Sequence, residues 1–269
     1  MSFSGLFAIG VSGVSAFTSS LESVSHNIAN SQTVGFKRAR TDFSDLVTID
    51  APEAGGRIGA GVAAAPRQLL AEQGALARTG NPTDIAISGD GFFVVGEGAD
   101  ATTRLFTRAG DFSPNEAGAL VNGAGHFLLS APQGQAGALA ALQPVNLFAG
   151  RNDFLSARID ETGDVYSAFA NGEEVRVARL PLALFTNPQG LTEARGSAFE
   201  ATSASGPARL ASAGQGRAGS IESGAVETST VDIGREFATL IETQRAYATN
   251  ARVISLADEM WRALVETAA

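Results

Sequence analysis

The chain has 269 residues, of which 44% are hydrophobic, a net charge of −9 and no cysteine. This hydrophobic content excludes wholesale disorder, and the absence of cysteine excludes disulfides, thiolate nucleophiles and cysteine-ligated metals. An acidic chain with a single lysine, Lys37, offers no basic face for a phosphate backbone, so nucleic acid is not an expected partner.

The start of the chain lacks the features of a membrane or secretory segment. No apolar run approaches the roughly 18 residues that a membrane-spanning helix needs. The first cationic side chain is Lys37, so the positively charged region of a signal peptide is missing. We therefore expect no membrane insertion and, if the protein leaves the cytoplasm, a route without a cleaved signal.

The first thirty residues predict a helix with one continuous apolar seam. Its apolar or small residues are separated by alternating steps of four and three, which is the heptad spacing. Glu22 is the only formal charge between Phe3 and Asn30, so the helix is expected to have neighbours on more than one side. A buried core helix of a globular domain is the alternative. The N-terminal seam consists of Phe3, Phe7, Val14, Phe17, Leu21, Val24 and Ile28.

The C-terminal stretch repeats this spacing and predicts a second, longer helix. Ser229 and Asp232 have the spacing of a capping box, which predicts where the helix starts. The stretch from Thr230 to Thr267 has no proline and would be about 55 Å long as a helix. We expect the two terminal helices to pair. The C-terminal seam consists of Ile233, Phe237, Leu240, Gln244, Tyr247, Ala251, Ile254 and Trp261.

Between the helices the apolar period becomes that of β-strands. Ile85 and Ile87 alternate with polar or small residues, and a turn at residues 88–91 precedes the apolar run 92–95. Turn residues recur throughout the middle of the chain, as in β-domains. Residues 50–66 are rich in Gly, Ala and Pro and are interpreted as an extended or loop connection.

The predicted fold class is α+β, with a discontinuous N- and C-terminal helical coiled-coil domain and a mainly β middle domain. The helical domain comprises residues 1–35 and 229–269, a linker comprises 36–75, and the β-domain comprises 76–228.

Residues suited to catalysis or ligand binding are scarce. The two histidines, His26 and His126, are a hundred residues apart and have no metal-binding spacing. A G-x-G-x-x-G pattern lacks the buried strand and βαβ context of a nucleotide site; it is formed by Gly214, Gly216 and Gly219. Three aspartates stand beside turns, where structural aspartates are commoner than catalytic ones: Asp84, Asp90 and Asp111. No enzyme activity, cofactor or metal is expected.

Three segments resemble the flagellar rod and hook axial proteins. HNIANSQTVGFKRARTDFSDL, from residue 26, resembles the signature after their N-terminal helix. TGNPTDIAISGDGFFVV, from residue 79, and LFTRAGDFSPNEAGALVNGAGHFLL, from residue 105, are similar to their first β-domain segment. The stretch 224–265 resembles their C-terminal module. The motif residues are Asn27, Ile28, Ala29, Asn30, Thr33, Gly35, Phe36 and Lys37.

The resemblance implies a structural subunit of the bacterial flagellum. Proteins of this family polymerise into a tube in which the paired terminal helices line a central channel and the β-domains lie outside. They are exported unfolded by the flagellar type III apparatus. The implied partners are further copies of this chain, other axial, junction and cap proteins, and the export apparatus. The implied location is the hook and basal body.

Within the family, the chain is closest to hook protein. Its first seventeen residues, MSFSGLFAIGVSGVSAF, look more like hook than rod protein. Gly55, Gly56, Gly59 and Gly61 predict a compliant joint between helices and β-domain, which suits a bending hook. The length leaves room for one β-domain and is closer to that of the distal rod protein, which is the alternative.

From a different class of protein, a glycan-binding or glycan-cleaving all-β protein with a helical oligomerisation stalk is also considered. Such a protein would need clustered aromatic and acidic residues in the β-domain. The only tryptophan, Trp261, instead falls on the C-terminal helix.

Overall fold

The computed structural model describes residues 3–48, 58–98, 103–131, 139–151 and 153–268. These residues form two compact units. The terminal unit takes its residues from 1–31, 38–69 and 231–269. The middle unit takes its residues from 32–37 and 70–230. Both units are therefore discontinuous along the chain.

The terminal unit contains two helices and one β-hairpin. Helix α1 spans Phe3–Ala29 and helix α2 spans Ile233–Ala268. Strands β1, Ala39–Thr48, and β2, Ile58–Gln68, pair antiparallel. Helices at both ends and a mostly β middle agree with the predicted α+β class. Neither described helix is long and apolar enough to cross a membrane.

The hairpin corrects the prediction that residues 36–75 are a linker. Ala39 lies opposite Gln68 at its base, and the register shifts at a bulge between Leu46 and Val47. Strand β2 reads IGAGVAAAPRQ, and alanine and glycine have low strand propensity. Packing against α1 therefore stabilises this strand more than its own residue preferences do. The predicted joint glycines at 55 and 56 lie outside the described residues.

Small side chains allow α1 to approach the hairpin closely. Gly61 has φ +121°, and a Cβ on it would lie 2.2 Å from the Ser12 hydroxyl oxygen. The same hydroxyl accepts a hydrogen bond from the Val62 amide, at 3.2 Å. Further along, the Thr41 hydroxyl donates to the Ser23 hydroxyl at 3.0 Å. Gly61 is thus required by a close contact, and a fixed role replaces the compliant one predicted for it.

Helices α1 and α2 pack against each other antiparallel, again through glycine. A Cβ on Gly10 would lie 2.8 Å from Ile254 Cγ1. A Cβ on Gly13 would lie 2.6 Å from Asn250 Oδ1. Residue numbers rise on α1 as they fall on α2, so the chain directions are opposed. Each glycine receives a larger side chain of the partner helix, which brings the two helix axes close together.

The middle unit consists of short strands and two 3₁₀ turns, at Leu139–Ala141 and Pro188–Gly190. Its strands are β3 Leu76–Arg78, β4 Ile85–Ser88, β5 Phe92–Glu97, β6 Arg104–Thr107, β7 Phe112–Pro114, β8 Leu120–Asn122, β9 His126–Ser130, β10 Gln143–Pro144, β11 Phe154–Ile159, β12 Asp164–Phe169, β13 Glu174–Arg179, β14 Pro181–Leu184, β15 Thr192–Ala194, β16 Ala198–Glu200, β17 Arg209–Ser212, β18 Ser220–Ser223 and β19 Ala225–Glu227.

Among the described residues these strands form one large sheet and three small ones. The large sheet has ten strands, with the main order β15-β16-β6-β5-β9-β8-β7. Strand β10 adds to β9, and β14 joins β5 to β17. Strands β11, β12 and β13 form a separate antiparallel sheet, and the pairs β4/β18 and β3/β19 complete the unit.

Strand β5 separates the core of the middle unit into two clusters. Phe93 and Val95 belong to one cluster and Phe92 and Val94 to the other. All four are buried, because successive side chains of a strand point to opposite faces. A continuous apolar run such as 92–95 is typical of a strand covered on both faces. The middle unit therefore has a complete core of its own.

The glycine contact between α1 and α2 is testable by overpacking. Gly10→Val places side-chain atoms where Ile254 lies, and we expect it to destabilise the terminal unit by about 1–3 kcal/mol. Adding Ile254→Ala should recover most of that loss by making room. Chemical unfolding followed by far-UV circular dichroism measures both. Gly59→Ala is the control, since no atom lies within 4 Å of its Cβ position; equal effects at Gly10 and Gly59 would contradict the contact.

Candidate assembly surface

The N-terminal seam is only partly buried within the subunit. Val24 is buried, Val14, Phe17, Leu21 and Ile28 are half-buried, and Phe7 is exposed. Phe3 is the first residue of α1. The buried positions of α1 before Val24 all carry small residues: Gly10, Gly13, Ala16, Ser20 and Ser23. Gly10 continues the heptad spacing of the seam, and each of the other four directly precedes a seam residue.

The C-terminal seam is displaced from the buried face of α2 by one residue. Glu236, Thr243 and Ala257 are buried, and each of the first two directly precedes a seam residue. The seam itself is half-buried or exposed in the subunit. Leu240, Ala251 and Ile254 are half-buried, whereas Ile233, Phe237, Gln244, Tyr247 and Trp261 are exposed.

Exposed large hydrophobic side chains are concentrated on the terminal unit. The described residues include 16 such side chains, and 15 of them belong to this unit. The exception is Leu155 of the middle unit. Most of the 15 lie on α2, and they include Phe237, Ile241 and Leu256. Exposed apolar side chains in this number on one unit indicate a site of association.

Asn27, the first motif residue, fixes the start of the hairpin to α1. Its carboxamide oxygen accepts from the Ala39 amide at 2.8 Å, and its amide nitrogen donates to the Ala39 carbonyl at 2.7 Å. The same nitrogen donates to Glu236 Oε2 on α2 at 3.2 Å. Glu236 also lies 3.8 Å from the Arg38 guanidinium. A buried amide thus connects both helices and β1 inside the terminal unit.

The motif residues that follow Asn27 end the helix. Ile28 accepts hydrogen bonds from the Ser31 amide and hydroxyl, and the Asn30 side chain donates to the His26 carbonyl at 2.9 Å. Ala29 is the last residue of α1. The helix thus ends immediately before Asn30, the first residue of the stretch 30–35 in which the sequence favours helix termination.

Gly35 has a different role, in the middle unit. Its φ is +67°, and a Cβ would lie 2.3 Å from the Ala109 amide nitrogen, so a side chain is excluded. The Phe36 amide donates to the Thr33 carbonyl at 3.3 Å, and the Phe36 carbonyl accepts from Thr230. The second half of the motif is therefore held against backbone of the middle unit.

Lys37 is fully buried in an ionic cluster centred on Glu227. Its ammonium donates to Glu227 Oε1 at 2.5 Å and to the Glu72 carbonyl. Arg108 donates to Glu227 Oε2 at 3.2 Å, and the Gly74 amide donates to Oε1 at 2.7 Å. The Glu227 backbone carbonyl accepts from Gly35 at 2.8 Å. One glutamate thereby joins three separate segments of the middle unit.

One carboxylate of this cluster serves two cations. Two cations, Lys37 and Arg108, share the buried carboxylate of Glu227. Burial lowers the pKa of the Lys37 ammonium, and the attraction of Glu227 opposes that shift. Burial likewise lowers the pKa of Arg108. The cluster is structural, because its polar atoms face one another and the backbone.

The other sequence candidates for chemistry are not brought together. His26 lies on α1 and His126 is buried in the middle unit, where burial lowers its pKa. Asp84 and Asp111 form an isolated β-bridge, and burial raises the pKa of Asp111. The three pattern glycines lie in the tight turn between β17 and β18, closed by the Gly214 amide on the Gly219 carbonyl. No metal-holding acidic or histidine cluster occurs among the described residues.

Sequence reasoning did not identify Glu227, Arg108 or Ser12 as key residues. Glu227 lies 190 residues from Lys37, and no local period connects them. Lys37 stands in a short basic cluster with Arg38 and Arg40, so neither its burial nor its partner could be inferred from the local sequence.

The cluster predicts unequal effects of removing its charges. Glu227→Gln removes the carboxylate that contacts both buried cations, and we expect it to cost about 3–5 kcal/mol of unfolding free energy. Lys37→Met should cost less, since Glu227 keeps Arg108 and Gly74. Urea unfolding measures both. The control Glu174→Gln removes one charge from the exposed pair with Arg158 and should change little. A larger loss for Lys37→Met than for Glu227→Gln would refute this ranking.

Two family profiles match the chain. The one described as Flagellar hook protein FlgE/F/G D1 domain matches residues 86–167. The one described as Flagellar basal body rod FlgEFG protein C-terminal matches residues 222–267. The crystal structure of Helicobacter pylori flagellar hook protein FlgE2 is 14% identical, covers 70% of this chain and 43% of that chain, and has a TM-score of 0.23. That score carries no argument about the fold.

Relatives of two kinds match by sequence. The flagellar basal-body rod protein FlgG of Caulobacter vibrioides is 32% identical over 94% of this chain and 95% of its own length. The flagellar hook protein FlgE of Brucella abortus is 43% identical, over 55% of this chain and 37% of its own length. Because the match to the rod protein extends over nearly the full length of both chains, this chain belongs to the flagellar rod and hook axial protein family.

Proposed function

We propose that this chain polymerises into the tubular hook of the bacterial flagellum, where it acts as a structural, torque-transmitting subunit. The observation that best supports polymerisation is that the exposed large hydrophobic side chains are concentrated on the terminal unit. A lone subunit leaves this apolar surface in water, and burying a large apolar side chain contributes about 1.5–3 kcal/mol. Packing against further copies removes that cost.

The terminal helices are the proposed inner, coiled-coil part of the tube. The antiparallel contact of α1 with α2 uses the small residues of α1 and, apart from Val24, leaves its larger apolar side chains half-buried or exposed where burial is described. The N-terminal and C-terminal seams then serve contacts between subunits. The middle unit, with its own complete core, is the proposed outer part. Other axial, junction and cap proteins and the type III export apparatus are the proposed further partners.

The proposed hook assignment is supported by the sequence identity of the aligned part and opposed by the length of the chain. Over the part that aligns, the hook protein of Brucella abortus is 43% identical, against 32% for the rod protein of Caulobacter vibrioides. The chain covers 95% of the rod relative but only 37% of the hook relative. The second candidate function is therefore a subunit of the distal rod. A role in glycan binding has no comparable support, because Trp261 lies on α2.

An exposed seam residue provides a test of polymerisation. Phe237→Asp should abolish polymer formation, because a carboxylate would be buried without a partner at the subunit contact. Folding should persist, since Phe237 is exposed in the subunit. Sedimentation and negative-stain microscopy measure polymer, and circular dichroism measures folding. Leu155→Asp, on the middle unit, is the matched control. Normal polymers from Phe237→Asp would rule out this seam as a contact.

The shape of the polymer distinguishes hook from rod. A hook bends while it rotates, so we expect curved, supercoiled tubes from the purified protein, whereas a rod subunit should give straight ones. Image analysis of the tubes measures curvature. Immunogold labelling of isolated hook–basal bodies places the protein directly. Straight tubes together with label confined to the periplasmic shaft would replace the hook assignment with the rod.

A further inference from the structure

We propose that Asn171 is a modification site, at which the side-chain amide is lost spontaneously to give aspartate and isoaspartate. The chain contains two Asn-Gly pairs, Asn122–Gly123 and Asn171–Gly172. Glycine after asparagine favours this reaction, because a residue without Cβ leaves its amide nitrogen unhindered and its backbone free to turn. The fold places the two pairs in opposite environments, and the second pair is the one that reacts.

Asn171 lies in the exposed turn between β12 and β13. Residues 170–174 are all exposed, and Gly172 has φ +81°. The carboxamide oxygen of Asn171 accepts from the Glu173 amide at 3.0 Å, and its nitrogen donates to Glu173 Oε2 at 3.1 Å. Both bonds lie at the surface, where water can replace them. A turn of this kind opens locally without unfolding of the sheet.

Asn122 provides the contrast within the same unit. It is the last residue of β8 and is only 6% exposed. Its carboxamide oxygen accepts from the amides of Ala124 and His126, at 3.1 and 2.9 Å, and therefore holds the turn into β9. Rotating this side chain toward Gly123 breaks both bonds inside the unit. Asn122 reacts only when a larger part of the sheet opens, which is a rarer event.

The proposed reaction needs only water. The Gly172 amide nitrogen loses its proton and forms a bond with Cγ of Asn171, while the bond from Cγ to the side-chain nitrogen breaks. Ammonia leaves with that proton, and a cyclic succinimide remains. Water then opens the ring at either carbonyl, which gives aspartate or isoaspartate. Water is consumed and ammonia released, with no oxidation or reduction.

One hydrogen bond of the turn restrains the attacking nitrogen. The Gly172 amide donates to the Phe169 carbonyl at 2.9 Å, so its proton is held until the turn opens. The folded chain should therefore react more slowly at Asn171 than the unfolded chain does. It should still react faster there than at Asn122, because opening an exposed turn costs less than opening a buried one.

Both products change the surroundings of Arg151. Its guanidinium lies 3.1 Å from Glu173 Oε2, 3.3 Å from Asp153 and 4.4 Å above the Phe169 ring. A carboxylate at position 171 no longer donates to Glu173 and instead repels it. Isoaspartate also lengthens the main chain of the turn by a methylene group, so the hydrogen bonds that Phe169 makes with the turn lose their geometry. The turn thus becomes more acidic and looser as the protein ages.

Peptide mass spectrometry of the aged protein tests this site. The purified chain is incubated in heavy-oxygen water at mildly alkaline pH and digested with trypsin in ordinary water. Cleavage after arginine gives separate peptides, 109–151 with Asn122 and 159–176 with Asn171. Only aspartate or isoaspartate formed during the incubation carries heavy oxygen. We expect Asn171 to convert about tenfold faster than Asn122 in the folded chain, and the two rates to become similar in urea.

Asn171→Gln is the control variant, because its longer side chain disfavours ring closure while a carboxamide is kept. Its peptide 159–176 should stay unlabelled, and comparable label there would place the reaction elsewhere and overturn the site. Equal rates at Asn122 and Asn171 in the folded chain would also overturn it. So would the absence of labelled Asn171 product over the time in which the chain in urea converts. None of these results depends on polymerisation, so the proposed function is tested separately.

Discussion

The close approach of α1 to its neighbours is the constraint on which the terminal unit depends. Gly10 and Gly13 admit side chains of α2, and Ser12 meets Gly61 of the hairpin. A side chain on Gly10, Gly13 or Gly61 would place its Cβ closer to a neighbouring atom than Cβ atoms come in real structures. Because the small residues of α1 make the close contacts within the subunit, most of its large apolar side chains are left partly or fully exposed. The geometry within one copy thus determines which surface remains for association.

Glu227 plays the corresponding part in the middle unit. Glu227 is the last residue of β19, close to the point where the chain passes from the middle unit into the terminal unit. It binds Lys37 and Gly74, which lie near two other points where the chain passes between the units. Three charged side chains are costly to bury together. Hydrogen bonds from Lys37, Arg108 and Gly74 offset that cost. We regard the cluster as a device for specificity more than for stability, since an apolar substitute would not define which segments meet.

The sequence predicted the elements whose signals are local. Both helices followed from their apolar period, and the run 92–95 correctly indicated a strand in the core. The capping box Ser229/Asp232 was wrong, because α2 begins at Ile233 and Asp232 itself caps it by accepting from the Arg235 amide. The hairpin was missed because Gly and Ala in β2 have little strand propensity, and its stability comes from α1. The expected pairing of the two terminal helices is confirmed. Its close contacts are made at Gly10 and Gly13, whereas the periodicity argument rested mainly on large apolar residues. Contacts over long sequence distance, such as Lys37 with Glu227, have no local signal at all.

The two units differ in how much of their stability they can supply themselves. The middle unit buries Phe and Val on both faces of β5 and has two core clusters. Helix α2 has 36 residues, yet its fully buried positions are few and include Glu236 and Thr243. A helix with so little buried apolar surface gains little from its own subunit, because helices in water are marginal without packing. Any partner that binds the ordered form then stabilises it by mass action. Under the proposed polymerisation, the order of the terminal unit is coupled to assembly, and its stability should rise with the concentration of subunits.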